Sequence, residues 1–314
     1  MKFNPAFYVL LLAGIGCASA IPARAQAPNR NEITPPAYTV ISAKWKGSTR
    51  PPDVSADGLN VRVENKPAKI DGWLPLQGAN ADMQLVFLID DSARSKFSLQ
   101  IPSLKKFIMD LPATTEVAVA YMGNGSARMT QTLTSDHALA AKSLRLTTGI
   151  PAISGSPYFV LSSLAKKWPS QTKTHRRVVF MVTNGEDPYY TSSDLQDPYV
   201  ASAIADSQRA HVLVYSIYFR NRGAGGSNNI STLYGQSYLL RVATETGAES
   251  YTEALISPVS FDPFLKQFKQ SLESQYLLTV DTNGSGLKRL QIKSNQPGVK
   301  LAVPSRIDLG GSRR

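Results

Sequence analysis

The stretch QLVFLIDDSARS, residues 84–95, decides the fold. Leu85, Val86, Phe87, Leu88 and Ile89 run without interruption into two carboxylates and then into small polar residues. An apolar run with no alternation predicts a strand buried on both faces. Acids at its carboxyl end fall where open α/β sheets bind their ligands. Working outward, Ile101, Leu104, Phe107, Ile108 and Leu111 recur at helical spacing, and residues 117–122 form a second apolar run. Residues 127–132 are polar and turn-flanked, which predicts an edge strand. Residues 136–146 and 158–168 read as helices, with Ser135 and Ser156-Pro157 as helix-favouring starts. A third run at 178–183, a helix at 201–209, a fourth strand at 211–219, a flexible loop at 223–229 and a helix at 239–246 stopped by Gly247 complete the series. The alternation predicts an α/β fold: a doubly wound, mostly parallel sheet with helices on both faces, flanked by small β elements.

The flanks differ in character. Residues 1–25 read as a secretory signal, with Lys2, an apolar run over 8–20 and Ala23-Arg24-Ala25 before Gln26; Ala18-Ser19-Ala20 is a competing site. The run is short for a bilayer span, and no later segment reaches that length, so no transmembrane segment is expected in the mature chain. Export to the periplasm, cell envelope or medium follows. An uncleaved anchor is the alternative to cleavage, and the only cysteine, Cys17, lies inside the signal, where Gly14-Ile15-Gly16-Cys17 offers lipidation as a further alternative. The mature chain then has no disulfide and no thiol chemistry. Residues 26–58 form an extended Pro-rich leader with a strand at 38–45. Residues 59–80 form a small β unit, in which Leu59, Val61 and Val63 alternate, Asn65-Lys66-Pro67 turns and 68–73 returns as a partner. The main domain covers 81–256. Residues 257–306 supply a helix with Phe261, Phe264, Leu265, Phe268 and Leu272 on one face, then strands at 276–281, 288–293 and 300–303. The first two of these strands are joined by a hairpin-type Asn283-Gly284-Ser285-Gly286. Residues 307–314 form a basic tail.

The formal charge is +11, and loss of Lys2 and Arg24 with the signal lowers it to +9. Outside the cytoplasm such a charge points away from nucleic acid and toward a protein partner or an anionic envelope component. No G-x-S-x-G or H-E-x-x-H motif is present, and His137, His175 and His211 lack metal-ligand spacing. Gly123-Asn124-Gly125 lacks the rest of a nucleotide fingerprint and reads as a turn. Three oxygen-rich loops fall at strand ends: Asp90 to Ser95, Ser154 to Pro157, and Thr183 to Asp187. If they converge, they offer a hard cation such as Mg²⁺ the oxygen ligands it requires.

In order and spacing these segments resemble the von Willebrand factor type A (VWA) domain, whose first strand ends in D-x-S-x-S, followed by a threonine loop and a strand ending in T-D-G. RVVFMVTNGED, residues 177–187, is similar to the family's stretch ending in TDGED, and residues 209–218 and 240–251, with ATETG, to its late elements. DGLNVRVENKPAKI, residues 57–70, resembles the flank of a VWA-related family of secreted bacterial proteins. The resemblance implies a VWA/Rossmann-like fold, a metal-ion-dependent adhesion site and a binding, non-enzymatic function. A secreted hydrolase and a passive structural envelope component are the alternatives.

The implied ligands match poorly. Asp90 and Ser92 fit the first two positions and Ser156 keeps the threonine's hydroxyl, but Arg94 stands where the second serine belongs and Asn184 replaces the aspartate. A unit pair at about 4 Å is worth about 4 kcal/mol at an effective dielectric of 20, so a dication facing Arg94 meets roughly twice that as repulsion. The expectation is a degenerate site with no cofactor. Mg²⁺ binding stays open if Arg94 swings outward and Asp91, Glu186 or Asp187 compensates. Arg94 itself either takes the cation's place beside Asp90 or is solvated on the first helical turn. Glu186, Asp187, Tyr189, Tyr190 and Tyr199 form either a partner-binding rim, since tyrosine gives contact area at low entropy cost, or a packed structural loop.

Overall fold

The computed structural model describes residues 37–45, 53–149, 155–170, 174, 176–190, 196–220 and 229–310. The expected signal and Cys17, Ser154, His175, the loop at 223–228 and the end of the basic tail lie outside the described residues.

In chain order the elements are β1 (Ala37–Trp45), β2 (Leu59–Val63), β3 (Lys66–Pro67), β4 (Lys69–Pro75), β5 (Met83–Asp90), α1 (Ile101–Met109), β6 (Thr115–Gly123), β7 (Ser126–Thr134), α2 (His137–Lys142), α3 (Pro157–Lys166), β8 (Arg177–Thr183), α4 (Pro198–Arg209), β9 (Val212–Tyr218), α5 (Asn229–Thr246), β10 (Ser250–Tyr251), α6 (Asp262–Glu273), β11 (Gln275–Asp281), β12 (Leu287–Ser294), β13 (Val299–Ala302) and β14 (Arg306–Asp308). The central sheet has the order β10-β9-β8-β5-β6-β7. Its strands are parallel except for β7, which closes one edge antiparallel to β6.

Every residue of β5 is buried, because helices cover both faces of the sheet. On one face Leu85, Phe87 and Phe180 pack with α1, α2 and α6 through Leu104, Phe107, Ala140 and Phe268. On the other, Val86, Leu88 and Met181 pack with α3, α4 and α5 through Leu161, Ile204 and Val242. The strand succession is the expected one. Gly123-Asn124-Gly125 is the β6–β7 turn, with Asn124 and Gly125 at positive φ.

The flanks depart from expectation. β11 and β12 do not form a hairpin: β11 lies between β1 and β4, while β12 lies between β2 and β14. The Asn283–Gly286 connection crosses from one small sheet to the other. Likewise β4 pairs with β11, and only the short β3 returns onto β2. The two small sheets share a core of Ile41, Val61, Val63, Leu278, Leu290 and Ile307. α5 begins at Asn229, well before the expected 239, and α2 ends at Lys142 rather than 146.

Candidate functional site

The carboxyl end of β5 delivers Asp90 into the protein, where it is 6% exposed. The chain folds back on it: Ser92 donates its backbone N–H (2.9 Å) and its hydroxyl (2.7 Å) to Oδ1. This is the local turn that an aspartate followed by serine favours. From the neighbouring strand, Thr183 donates its hydroxyl to Oδ2 at 3.1 Å. Burial pushes the Asp90 carboxyl up; the Ser92 and Thr183 hydrogen bonds hold it down in part, and the nearby Asp91 pushes it up again. A carboxyl raised in the folded state contributes stability that is complete below the unfolded pKa, about 3.9, and is lost as pH rises through the folded value. Asp90→Asn is therefore expected to gain on the wild type as pH rises from about 4 through that window. Urea midpoints of both proteins from pH 4 to 8 test this, and parallel pH curves would show that Asp90 does not titrate abnormally.

Asp91 is committed elsewhere. Arg145 grips it with both ends of its guanidinium, at 2.8 and 2.9 Å, and the Thr148 N–H adds a third hydrogen bond at 3.0 Å. The Arg145 guanidinium also sits 3.9 Å from the centre of the Tyr121 ring. Burial is the largest single influence on Asp91 and acts upward, but Arg145 and the backbone N–H groups of Thr148 and Gly149 outweigh it and hold the carboxyl low. Asp91 is thus engaged in a structural ion pair rather than held in reserve as a cation ligand.

Ser156 caps α3, accepting the Tyr158 N–H at 3.2 Å, and donates its hydroxyl to Asp187 Oδ2 at 2.6 Å. Asp187 also accepts the Tyr189 N–H, at 2.8 Å, and is only 7% exposed. It is a post that shapes its loop and offers a partner no rim surface. Asn184 is 3% exposed. Its Oδ1 accepts the Glu186 N–H at 3.2 Å, and its Nδ2 is buried without an acceptor at hydrogen-bond geometry. The Glu186 carboxyl is near enough to feel that amide: burial raises it, while Ser231, Arg220 and Asn184 hold it down.

The 183–187 loop is clamped from behind by α5. Gly185 has φ +69°, and a Cβ there would lie 2.4 Å from the Gly235 carbonyl oxygen. A Cβ on Gly235 would lie 2.2 Å from the Asn184 oxygen. Two glycines are required for backbone to meet backbone this closely.

The structure thus ties Asp90, Ser92 and Thr183 directly together and links Ser156 to Asp187. Sequence reasoning missed Thr183 as a partner of Asp90, Arg145 as the partner of Asp91, and Gly235 as the clamp. Only Thr183 carried a visible signal, as the first residue of TNGED. One feature opposes a dication: Asn184 presents a buried donor, Nδ2, where the resemblance implies a carboxylate.

Arg94 stands at the next corner. Its backbone N–H meets the Arg220 carbonyl at 3.0 Å, and it lines a groove of about 360 Å³ with Lys96, Leu99, Phe219, Arg220 and Val259. Leu99 is 68% exposed and Val259 81%. Three cations and no carboxylate line the groove among the described residues. Of the tyrosines, Tyr189 faces solvent with its ring tilted against Phe159, ring centres 5.5 Å apart; Tyr199 meets the same ring edge-on at 4.5 Å, and Tyr190 is half-buried.

No known family's sequence profile matches the chain, and no curated protein matches it. Among solved structures it is similar to an aerotolerance-related membrane protein from Bacteroides fragilis NCTC 9343, at 13% identity over 60% of this chain and 98% of that one, with a TM-score of 0.44. The conserved hypothetical protein BatB from Bacteroides thetaiotaomicron aligns at 10% identity over 60% of this chain and 98% of its own, TM-score 0.41. The VWA domain of SpRpn10 aligns at 12% identity over 57% and 96%, TM-score 0.35. The chain's own central sheet is six-stranded and mostly parallel, between two helical layers.

Proposed function

We propose that this chain is an exported, non-catalytic interaction protein that uses the carboxyl ends of its VWA-like sheet to hold a partner without a resident metal. The observation that carries the reading is the groove beside Arg94. Its floor and lip are apolar, Leu99 and Val259 stand in solvent, and its charged lining is wholly cationic. Exposed apolar groups next to a cationic lining suit a protein segment that combines acidic and apolar side chains. The amide at Asn184, in place of a carboxylate, supports metal-free binding. Export rests on the character of residues 1–25; among the described residues no helix is long and apolar enough to cross a membrane.

The test is a pull-down from envelope extract with the mature protein as bait, followed by titration of the recovered partner. Lys96→Glu with Leu99→Asp is expected to lower affinity at least tenfold, about 1.4 kcal/mol, at an unchanged melting temperature. Replacing Tyr189 and Tyr190 by alanine is expected to weaken the same partner by more than about 1 kcal/mol. Equal affinity in the groove variant would remove the groove from the interface, and equal affinity in the tyrosine variant would assign those rings to loop packing. Turnover of an ester, peptide or glycoside substrate by the wild type would favour the hydrolase instead.

A further inference from the structure

At the opposite end of the sheet, the amino ends of three adjacent strands place Thr115, Met83 and the residue before β8, Arg176, side by side. Met83 pairs with Thr115, and Gln84 pairs with Arg177, which puts Arg176 next to Met83 on its other flank. The three residues share the sheet face covered by α6 and form a row about 10 Å long, two strand spacings. They line a pocket of about 470 Å³ with Leu76, Leu111 and Leu272, within the size range of small-molecule sites. Lys269 and Glu273 stand exposed at its mouth.

Two polar groups in that row are unexplained by the fold. Arg176 is 4% exposed, yet no carboxylate pairs with it among the described residues. Its hydrogen bonds go to neutral acceptors: Gln275 Oε1 at 2.6 Å, the Leu76 carbonyl at 3.3 Å and the Leu272 carbonyl. A second N–H remains on each terminal nitrogen. Burial is the largest influence on the guanidinium and brings its pKa down to about 10, with Tyr215 and Asp82 acting upward. Thr115 is fully buried, and its hydroxyl has no hydrogen-bond partner. A buried cation with neutral partners only, and a buried hydroxyl with none, each carry an unrecovered desolvation cost.

We propose that this pocket binds a small aliphatic carboxylate, its carboxylate on the free N–H groups of Arg176 and its chain lying along Met83, Leu76, Leu111 and Leu272. The ligand supplies the missing counter-charge, and the apolar walls take the chain. The Thr115 hydroxyl at the far end of the row favours ligands long enough to reach it with a polar terminus.

Octanoate, octan-1-ol and octylamine are the probes, titrated calorimetrically into the mature protein with a thermal melt in parallel. Octanoate is expected to bind saturably and raise the melting temperature, the alcohol to bind at least tenfold more weakly, and the amine not to bind. Leu111→Trp, which fills the pocket without touching Arg176, is expected to abolish octanoate binding and leave the fold intact. Arg176→Gln is expected to erase the preference for octanoate over octanol. Should that variant fail to fold, for Arg176 also ties β8 to β4 and α6, Leu111→Trp carries the test alone. Equal binding of acid and alcohol, no saturable octanoate binding to the folded wild type, or full binding by Leu111→Trp each overturns the proposal.

Discussion

Replacing Phe268 by alanine is expected to destabilise the protein by about 3–5 kcal/mol, the usual cost of emptying a fully buried aromatic site. Phe268 sits on α6, outside the 81–256 segment that carries the family resemblance, and none of its surface is exposed. Its ring centre lies 4.7 Å from Tyr215, 4.8 Å from Phe180 and 5.4 Å from Phe107, so it touches β9, β8 and α1 at once. Truncation leaves a cavity bounded by rigid rings that cannot collapse into it, which places the cost toward the upper end of the range. Total stabilities are about 5–15 kcal/mol, so one side chain of the C-terminal segment would account for a large part of the whole. Urea unfolding at constant m-value measures it, with exposed Lys266→Ala as a control expected near zero. A loss below about 1 kcal/mol would mean that α6 is a loosely held appendage and that the sheet is stable without it.

That expectation bears on how the chain divides. Local signals separate residues 59–80, 81–256 and 257–306 by composition, but the fold joins the first and last of these through β4 against β11 and β2 against β12. Both pairings span most of the chain, and nothing in Asn283-Gly284-Ser285-Gly286 distinguishes a hairpin from a crossover between sheets. The buried strands were legible because five consecutive apolar residues have few alternatives in a protein of this size. The first turns of α5 were not, since residues 230–237 mix Ser, Thr, Gly and Gln with Ile230, Leu233 and Tyr234 and give no helix start signal. Their helix is specified by tertiary contact, with Gly235 against the 183–187 loop and the Tyr238 ring edge-on to Tyr158 of α3. α2 stops short because Arg145 leaves the helix to reach Asp91. At the candidate site the residue types were legible and their partners were not. Asp90 and Ser92 are joined by a turn two residues long, whereas Thr183 reaches Asp90 across the sheet and Ser156 reaches Asp187 between loops.

The same contrast sets the expected response to metal. Millimolar Mg²⁺ is expected to leave the melting temperature of the wild type unchanged, and the paired change Arg94→Ser with Asn184→Asp to make it rise. An aspartate at 184 keeps one oxygen on the Glu186 N–H and turns the position of the Nδ2 donor into an acceptor. A serine at 94 removes a positive charge and adds a hydroxyl at the corner after Ser92. Both changes favour a dication. Without metal the double variant is expected to be less stable than the wild type, because a carboxylate is then buried at a site only 3% exposed. A cation that binds only the folded form recovers this by mass action, about 2.7 kcal/mol at a hundred times its dissociation constant. Asn184→Asp alone is expected to respond less, since Arg94 and Arg220 keep the neighbouring groove positive. Melts of the three proteins with Mg²⁺ and with chelator separate the outcomes. A wild type stabilised by Mg²⁺ would show that Arg94 leaves the cation's place open, and metal-free binding would then be wrong. A folded double variant indifferent to Mg²⁺ would show that Ser92, Ser156 and residue 184 stand too far apart to share one ion, and the cause would then be loop geometry rather than charge.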